Sequence, residues 1–244
     1  MTRKKFCLPL LSCLYGFSVW LSALLLAWIL LAQVNFGYSV WYPLLKIDQF
    51  VQLVAPHEFY KPSFQWTTPA EHARLFNEIS HAINHNGDGL ANIRYYNTKD
   101  HIYETMLSQD EIFHLQDVAY LVRQGQWLGI GALFVYALSL VIFYRLKWKI
   151  PSIKNTLIPF FSALLTIISV ILLLGPTRVF AQFHHWVFPV AHRWAFYYEE
   201  SLMSLIMYAP KVFGYIAIAL VILSSLLFIS LLRINQLIYR REKE

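Results

Sequence analysis

Four long apolar runs constrain the fold of this chain more than any other feature of its sequence. Each run is long enough to cross a hydrocarbon core of about 30 Å, which takes about 20 helical residues. The mean hydropathy of +0.46 and the charged fraction of 14% agree with a membrane protein. We therefore predict an all-α polytopic membrane protein with four transmembrane helices, at about residues 8–34, 127–146, 157–174 and 212–232.

Basic residues give the orientation of these helices. They cluster before the first run, between the second and third runs, and after the fourth, which all lie on one side of a four-span topology. The positive-inside rule assigns that side to the cytoplasm, so both termini are predicted to be cytoplasmic. The net charge of +6 is then a topology signal and gives no reason to expect a nucleic-acid partner. The residues are Arg3, Lys4, Lys5, Arg145, Lys147, Lys149, Lys154, Arg233, Arg240, Arg241 and Lys243.

Two segments, about residues 35–126 and 176–211, are then predicted to lie outside, and they contain all nine histidines. We expect the chain 1–244 to form a single membrane domain in which these segments make a mostly helical extracytoplasmic cap. The first run resembles a signal peptide, but it is about 25 residues long and no small-x-small cleavage site follows it, so we predict a retained helix. The outer segments contain no cysteine, which argues against a disulfide-forming enzyme.

Local signals predict secondary structure in the first outer segment. Thr68 as cap and Glu71 three residues later predict a helix over Pro69–Asn84. The preceding stretch Asn35–Pro62 is rich in aromatic residues and is predicted to be irregular. Leu90–Tyr96 is predicted to be a short strand.

The stretch from Ser108 to Val118 carries the strongest helix-start signal, because Ser108 and Glu111 form a capping box. Glu111, His114 and Asp117 then share one flank of the helix at successive i, i+3 positions. Two flanking carboxylates can raise the basicity of an imidazole and fix its tautomer, as a general base requires. The alternative interpretation is a solvated polar face on an interfacial helix.

The second outer segment places His184 and His185 among many aromatic residues. Aromatic rings gather where the membrane meets water, so an interfacial belt is one interpretation. Two histidines from distant segments are also typical of active sites built from separate loops on a rigid scaffold. The lone histidines are predicted to be exposed polar positions: His57, His72, His101 and His192.

Two strings of residues stand before the second and fourth runs. They are Glu111-x-x-His114-x-x-Asp117-Val118, and Phe183-His184-x-x-x-Phe188 followed by Trp194-x-Phe196. Together with the four-span plan, these strings resemble the lipoprotein intramolecular transacylase (Lit) family of bacterial membrane proteins. One departure is that Val190-Ala191-His192 stands where the family pattern has an Asn-Asp-like pair.

The resemblance implies an enzyme that moves the sn-2 acyl chain of a diacylglyceryl-cysteine lipoprotein onto the α-amine of the same cysteine, giving the lyso form. It implies His114 and His184 as the catalytic pair, with the adjacent His185 as the alternative to His184. It further implies diacylated bacterial lipoproteins as substrates, membrane lipids as surroundings, and an active site on the outer side of the bacterial cytoplasmic membrane. From their positions in the sequence, we predict that Asp117 and Glu111 support the catalytic histidines and that Phe188, Trp194 and Phe196 bind the substrate. An interfacial belt is the alternative role for Trp194 and Phe196.

Histidine chemistry alone suits this reaction, so neither a cofactor nor a metal is expected. An α-amine with a pKa of about 8 is within reach of an imidazole base, and a second imidazole can stabilise the oxyanion. A metal site is a weaker alternative. His81 and His85 stand at i, i+4, as metal ligands on a helix often do, but no carboxylate stands at ligand spacing near His184 and His185. The non-enzyme alternative is a membrane protein that binds a lipidated partner at the outer leaflet without chemistry.

Overall fold

The computed structural model of this protein describes residues 2–241, with side chains described from Leu8 to Tyr239. In the described part of the chain, one two-stranded sheet accompanies the helices. The helices are α1 (Thr2–Gln33), α2 (Tyr38–Leu44), α3 (Ile47–Val54), α4 (Pro69–Asn84), α5 (Gln109–Arg145), α6 (Ile153–Leu174), α7 (Pro176–Val187), α8 (Leu202–Met207) and α9 (Lys211–Arg241). The strands are β1 (Arg94–Asn97) and β2 (Ile102–Thr105).

Helices α1, α5, α6 and α9 are long and apolar enough to cross a membrane, which confirms the prediction of an all-α polytopic membrane protein. Helix α5 has 37 residues, or about 55 Å, more than a bilayer core requires. Its first part, residues 109–126, carries four charged side chains, whereas the apolar run begins at Trp127. The bounds of the second span, at about residues 127–146, stay a prediction.

The chain forms two compact units. The first comprises the residues up to Ile29, Gly125–Phe183 and the residues from Leu220 onward, and the second comprises Leu30–Gln124 and His184–Ala219. The first unit thus holds most of the apolar runs, and the second unit holds all nine histidines. The single membrane domain stays a prediction.

The first unit has an aromatic core in which the Asn235 side chain forms hydrogen bonds to two tyrosines. Tyr15, Phe143 and Phe228, from α1, α5 and α9, are fully or almost fully buried. The Asn235 side-chain amide donates to the Tyr15 hydroxyl at 2.8 Å, and the Tyr136 hydroxyl donates to Asn235 Oδ1 at 2.8 Å. Side-chain hydrogen bonds of this kind join helices inside a membrane, where apolar burial alone gives little preference for one partner over another.

Helices α1 and α5 approach closely at the buried Gly129. A Cβ atom added there would lie 2.8 Å from the Cβ of Leu25, which is closer than such atoms normally approach. We expect Gly129→Ala to lower the free energy of unfolding by about 1–3 kcal/mol, because the helices must move apart. The matched control is Gly131→Ala, since nothing lies within 4 Å of its added Cβ. Thermal unfolding in detergent compares the two variants, and equal melting temperatures would contradict this expectation.

In the second unit, helix α4 spans Pro69–Asn84, as its capping signal predicts. The Glu71 N–H donates to Thr68 Oγ1 at 3.2 Å. The Glu71 carboxylate accepts from Arg74 and from the Tyr96 N–H, the latter at 2.7 Å. Glu71 therefore links α4 to β1 rather than completing the reciprocal half of the capping box.

Two other local predictions are wrong. Most of residues 35–62 are not irregular, because they form α2 and α3, which a turn at residues 45–46 joins and 3₁₀ turns at Asn35–Gly37 and Ala55–His57 flank. Left-handed backbone at Gly37 (φ +74°) and Lys46 (φ +53°) precedes the two helices, and neither start has a side-chain cap bond. The strand is also displaced, since Leu90–Asn92 is a 3₁₀ turn and β1, which pairs antiparallel with β2, begins only at Arg94.

His72 is buried, which corrects the prediction that it is exposed. It lies on the core-facing side of α4, and the hydroxyls of Tyr42 and Thr67 lie 2.7 Å from its two ring nitrogens. Burial is tolerated because both ring nitrogens have partners. Burial lowers the pKa of His72 to about 4, and nearby carboxylates act in the opposite direction. His57 and His101 are exposed, as predicted.

Candidate active site

Glu111 is a buried carboxylate that joins the starts of two helices in the second unit. The Ser108 N–H donates to Glu111 Oε2 at 2.6 Å and the Glu111 N–H donates to Ser108 Oγ at 3.4 Å, so the predicted capping box is complete. Glu111 Oε1 accepts from the Ser201 hydroxyl at 2.7 Å and from the Met203 N–H at 3.2 Å. Ser201 is the N-cap of α8. The beginning of α5 is thereby fixed to the beginning of α8.

One helical turn after Glu111, His114 lies beside His184 of α7. The two ring centroids are 6.2 Å apart and the ring planes differ by 28°. Both imidazoles are buried. Phe188 lies 5.1 Å from each of them, between ring centroids. The fold thus brings together two histidines that are 70 positions apart in the sequence.

The loop after α7 supplies aromatic walls around this pair. Trp194 lies 4.8 Å from His184 and Phe196 lies 6.0 Å from His114, between ring centroids. His185, the alternative second histidine, is exposed and meets Trp194 edge-on at 5.2 Å. The geometry therefore favours His184 over His185 as the partner of His114.

Asp117 binds the same loop through a contact that the sequence did not suggest. Its Oδ2 lies 2.5 Å from Nδ1 of His192, and Phe113 stacks on the His192 ring at 5.6 Å. His192 is half-buried, so the prediction that it is an isolated exposed residue is wrong. Its partner is 75 positions away, and only the tertiary fold brings the two side chains together.

The surroundings of His114 keep its imidazole neutral. His114 precedes the predicted span of α5 in the sequence, and the aromatic rings of Phe188 and Phe196 lie beside it. Burial lowers the pKa of His114 below its ordinary value, and the neighbouring His184 lowers it further, whereas the Asp117 carboxylate raises it. Because the shift is downward, the neutral form, which can accept a proton, is the form present at neutral pH.

Asp117→Ala tests whether the contact with His192 matters for the site. We expect about a tenfold lower catalytic turnover, because the loop that carries Trp194 and Phe196 loses an anchor and positioning errors lower the rate. Asp110→Ala, an exposed acid in the same helix, is the matched control and should leave turnover unchanged. Equal turnover in the two variants would show that the anchor is dispensable.

The metal alternative depends on His81 of α4 and on His85, which directly follows that helix. His81 and His85 stack at 3.9 Å between ring centroids, and His85 Nδ1 lies 2.8 Å from the His81 carbonyl oxygen. Within residues 2–241, no group of three or more His, Cys, Asp or Glu side chains is placed to hold a metal ion. Two ligands are fewer than the three or four that protein zinc sites use.

Four membrane helices and a buried histidine pair with aromatic walls define a polytopic membrane protein with a candidate acid–base centre. Residues 13–214 match the family model described as lipoprotein intramolecular transacylase Lit. The chain therefore belongs to the Lit family, which confirms the expected family. At the family level it is a lipoprotein intramolecular transacylase.

Solved structures share this fold. The membrane integral lipoprotein intramolecular transacylase Lit from Bacillus cereus, in a form with a histidine-to-arginine mutation, matches with a TM-score of 0.64, 16% identity and 100% of both chains covered. Another structure of Bacillus cereus Lit matches with a TM-score of 0.63 and 16% identity, covering 97% of this chain and 98% of the other. At this identity the likeness shows the fold alone. None of the curated proteins compared by sequence matches the chain.

Proposed function

We propose that this protein moves the sn-2 acyl chain of a diacylglyceryl-cysteine lipoprotein onto the α-amine of the same cysteine, giving the lyso form. The observation that carries the proposal is the buried pair of His114 and His184, with ring centroids 6.2 Å apart and aromatic walls around them. Two adjacent imidazoles can take a proton from an amine and stabilise the charge on an ester oxygen.

His114 is the proposed base. The α-amine nitrogen attacks the carbonyl carbon of the sn-2 ester while His114 takes a proton from that nitrogen. His184 donates a hydrogen bond to the oxyanion that forms at the carbonyl oxygen. The bond between the carbonyl carbon and the glycerol C2 oxygen then breaks, His114 returns the proton to that oxygen, and an amide and a free hydroxyl result.

Proximity contributes much of the proposed rate. Ester and amine belong to one molecule, so the transfer gains from a high effective concentration without a covalent enzyme intermediate. Phe188, Trp194 and Phe196 are the proposed walls for the lipid part of the substrate, because their rings surround the histidine pair. Neither a cofactor nor a metal takes part in these steps.

The proposed location is the bacterial cytoplasmic membrane, with both termini in the cytoplasm and the histidine pair on the extracytoplasmic side. The basic residues that flank the apolar runs support this orientation through the positive-inside rule. Diacylated lipoproteins anchored in the outer leaflet are the proposed substrates, and membrane lipids the proposed surroundings.

A synthetic diacylglyceryl lipopeptide with an isotope label in the sn-2 acyl chain tests this function. The purified full-length protein should convert it to a product of unchanged mass in which fragmentation by mass spectrometry finds the label on the cysteine amine. An unlabelled acyl group on the amine, from the sn-1 chain or from added phospholipid, would contradict the intramolecular sn-2 transfer. Substrate binding without any product would favour the non-catalytic alternative.

A further inference from the structure

We propose that the first compact unit binds an anionic glycerophospholipid in a groove between α1, α6 and α9, with the lipid phosphate at Lys149. The groove lies in the unit that contains no histidine, so this lipid is not the substrate held by the histidine pair. Lipid binding in this groove is therefore independent of the proposed acyl transfer.

The groove has the size and the walls of a lipid-binding site. Its volume is about 850 Å³, within the range of about 300–1,000 Å³ that is typical of small-molecule sites. Most of its lining is apolar and comes from all three helices. The largest apolar side chains in the lining are the aromatic ones of Phe17, Trp20, Phe160 and Phe228.

One end of the groove is polar and cationic. Lys149 lines it together with Ser12, Ser152, Asn155 and Thr156, which bring hydroxyl and amide groups. The surrounding loop, residues 145–154, carries four basic residues and no acidic one. An apolar groove with one basic end matches the acyl chains and the phosphate of a lipid. Basic pockets between transmembrane helices on the cytoplasmic side are known to take anionic lipid headgroups.

Hydrogen bonds from α9 hold the basic loop in place. The Tyr239 hydroxyl donates to the Trp148 carbonyl oxygen at 2.9 Å, and the Gln236 side chain donates to the Pro151 carbonyl oxygen at 3.1 Å. Trp148 and Ile150, on either side of Lys149, pack against the core of the first unit. Because these contacts already order the loop, binding a headgroup costs little conformational entropy, which favours binding.

Charge distinguishes an anionic lipid from the other candidates for this groove. A zwitterionic lipid has the same acyl chains but carries no net charge to match the four basic residues. A second copy of this chain would fill the apolar part, but it would not depend on the lipid headgroup. The preference for one headgroup over another is therefore the property to measure.

Native mass spectrometry of the delipidated full-length protein can measure that preference. Phosphatidylglycerol and phosphatidylcholine with identical acyl chains are added at equal concentrations. We expect about fivefold greater retention of phosphatidylglycerol, the effect of one well-placed basic residue. Lys149→Gln should abolish the preference and Lys149→Arg should restore it. Lys154→Gln, in the first turn of α6 and outside the lining, should keep most of it.

A second variant tests the apolar part of the groove. Ala163 lines it, so Ala163→Trp should reduce the retention of both lipids while the melting temperature shows that the variant is folded. Equal retention of the two lipids by the unaltered protein would overturn the proposal. So would a preference that survives Lys149→Gln, retention that survives Ala163→Trp, or dimers in place of lipid adducts.

Discussion

Replacing His114 with alanine is expected to lower the rate of lyso-form production at least about 100-fold. General-base catalysis contributes about 10²–10⁴-fold in enzymes, and alanine has no group that can take the proton from the amine. The exposed fraction of His114 is only 9%. Water therefore has little access to the site, which limits its ability to replace the missing base.

Mass spectrometry of the N-terminal lipopeptide measures the outcome, in cells and with purified protein. His184→Ala should also lower the rate, by about 10²–10³-fold, because the oxyanion loses a donor. The matched control is His185→Ala, which removes the same kind of side chain from the adjacent but exposed position. Its rate should stay within about twofold of the unaltered protein, since surface changes usually have small effects.

The His185→Ala control distinguishes two outcomes that would contradict this assignment. If His185→Ala loses activity while His184→Ala keeps it, the second catalytic histidine is His185 and the ring geometry has been misinterpreted. If all three variants give as much lyso form as the unaltered protein, neither imidazole takes part in acyl transfer.

Local signals explain the parts of the fold that could be predicted from the sequence. Hydropathy located the four apolar helices because a bilayer demands about 20 apolar residues per span. The start of α4 and the capping box at Ser108 and Glu111 were predicted correctly because their partners are only three residues apart. By contrast, α2 and α3 have no side-chain caps, and their boundaries depend on left-handed residues that need not be glycine.

Contacts between distant residues explain what could not be predicted. Nothing in the sequence around His192 indicates that Asp117 is its partner, and nothing around His72 indicates that Tyr42 and Thr67 accompany it in the core. The pair of His114 and His184 was expected only because both lie in strings that resemble one family. Spacing alone favoured a solvated polar face over a catalytic role.

Glu111 shows how a motif can identify a residue without revealing what it contacts. The sequence suggested that its carboxylate supports the catalytic histidines from the same helical flank. Its observed bonds instead go to the N–H of Ser108 and to the hydroxyl of Ser201 and the N–H of Met203. We therefore propose that Glu111 positions His114 indirectly, by fixing the start of α5 against α8.

This role predicts that Glu111→Ala destabilises the second unit by about 3 kcal/mol, because it leaves buried donors without an acceptor and removes a helix cap. Ser201 and Met203 are both buried, so water cannot easily replace the carboxylate. Asp110→Ala is the matched control. It removes a negative charge from the same helical turn but at an exposed position, and should cost no more than about 0.5 kcal/mol.

Thermal unfolding and turnover together separate the two possible roles of Glu111. A positioning residue should lower both the melting temperature and the rate, and Glu111→Gln should recover part of each, because an amide keeps one oxygen acceptor. If Glu111→Ala abolished turnover without changing the melting temperature, the carboxylate would act directly on the reaction. The four bonds that the carboxylate and the N–H of Glu111 make favour the first outcome, since they hold the helix start on which His114 stands.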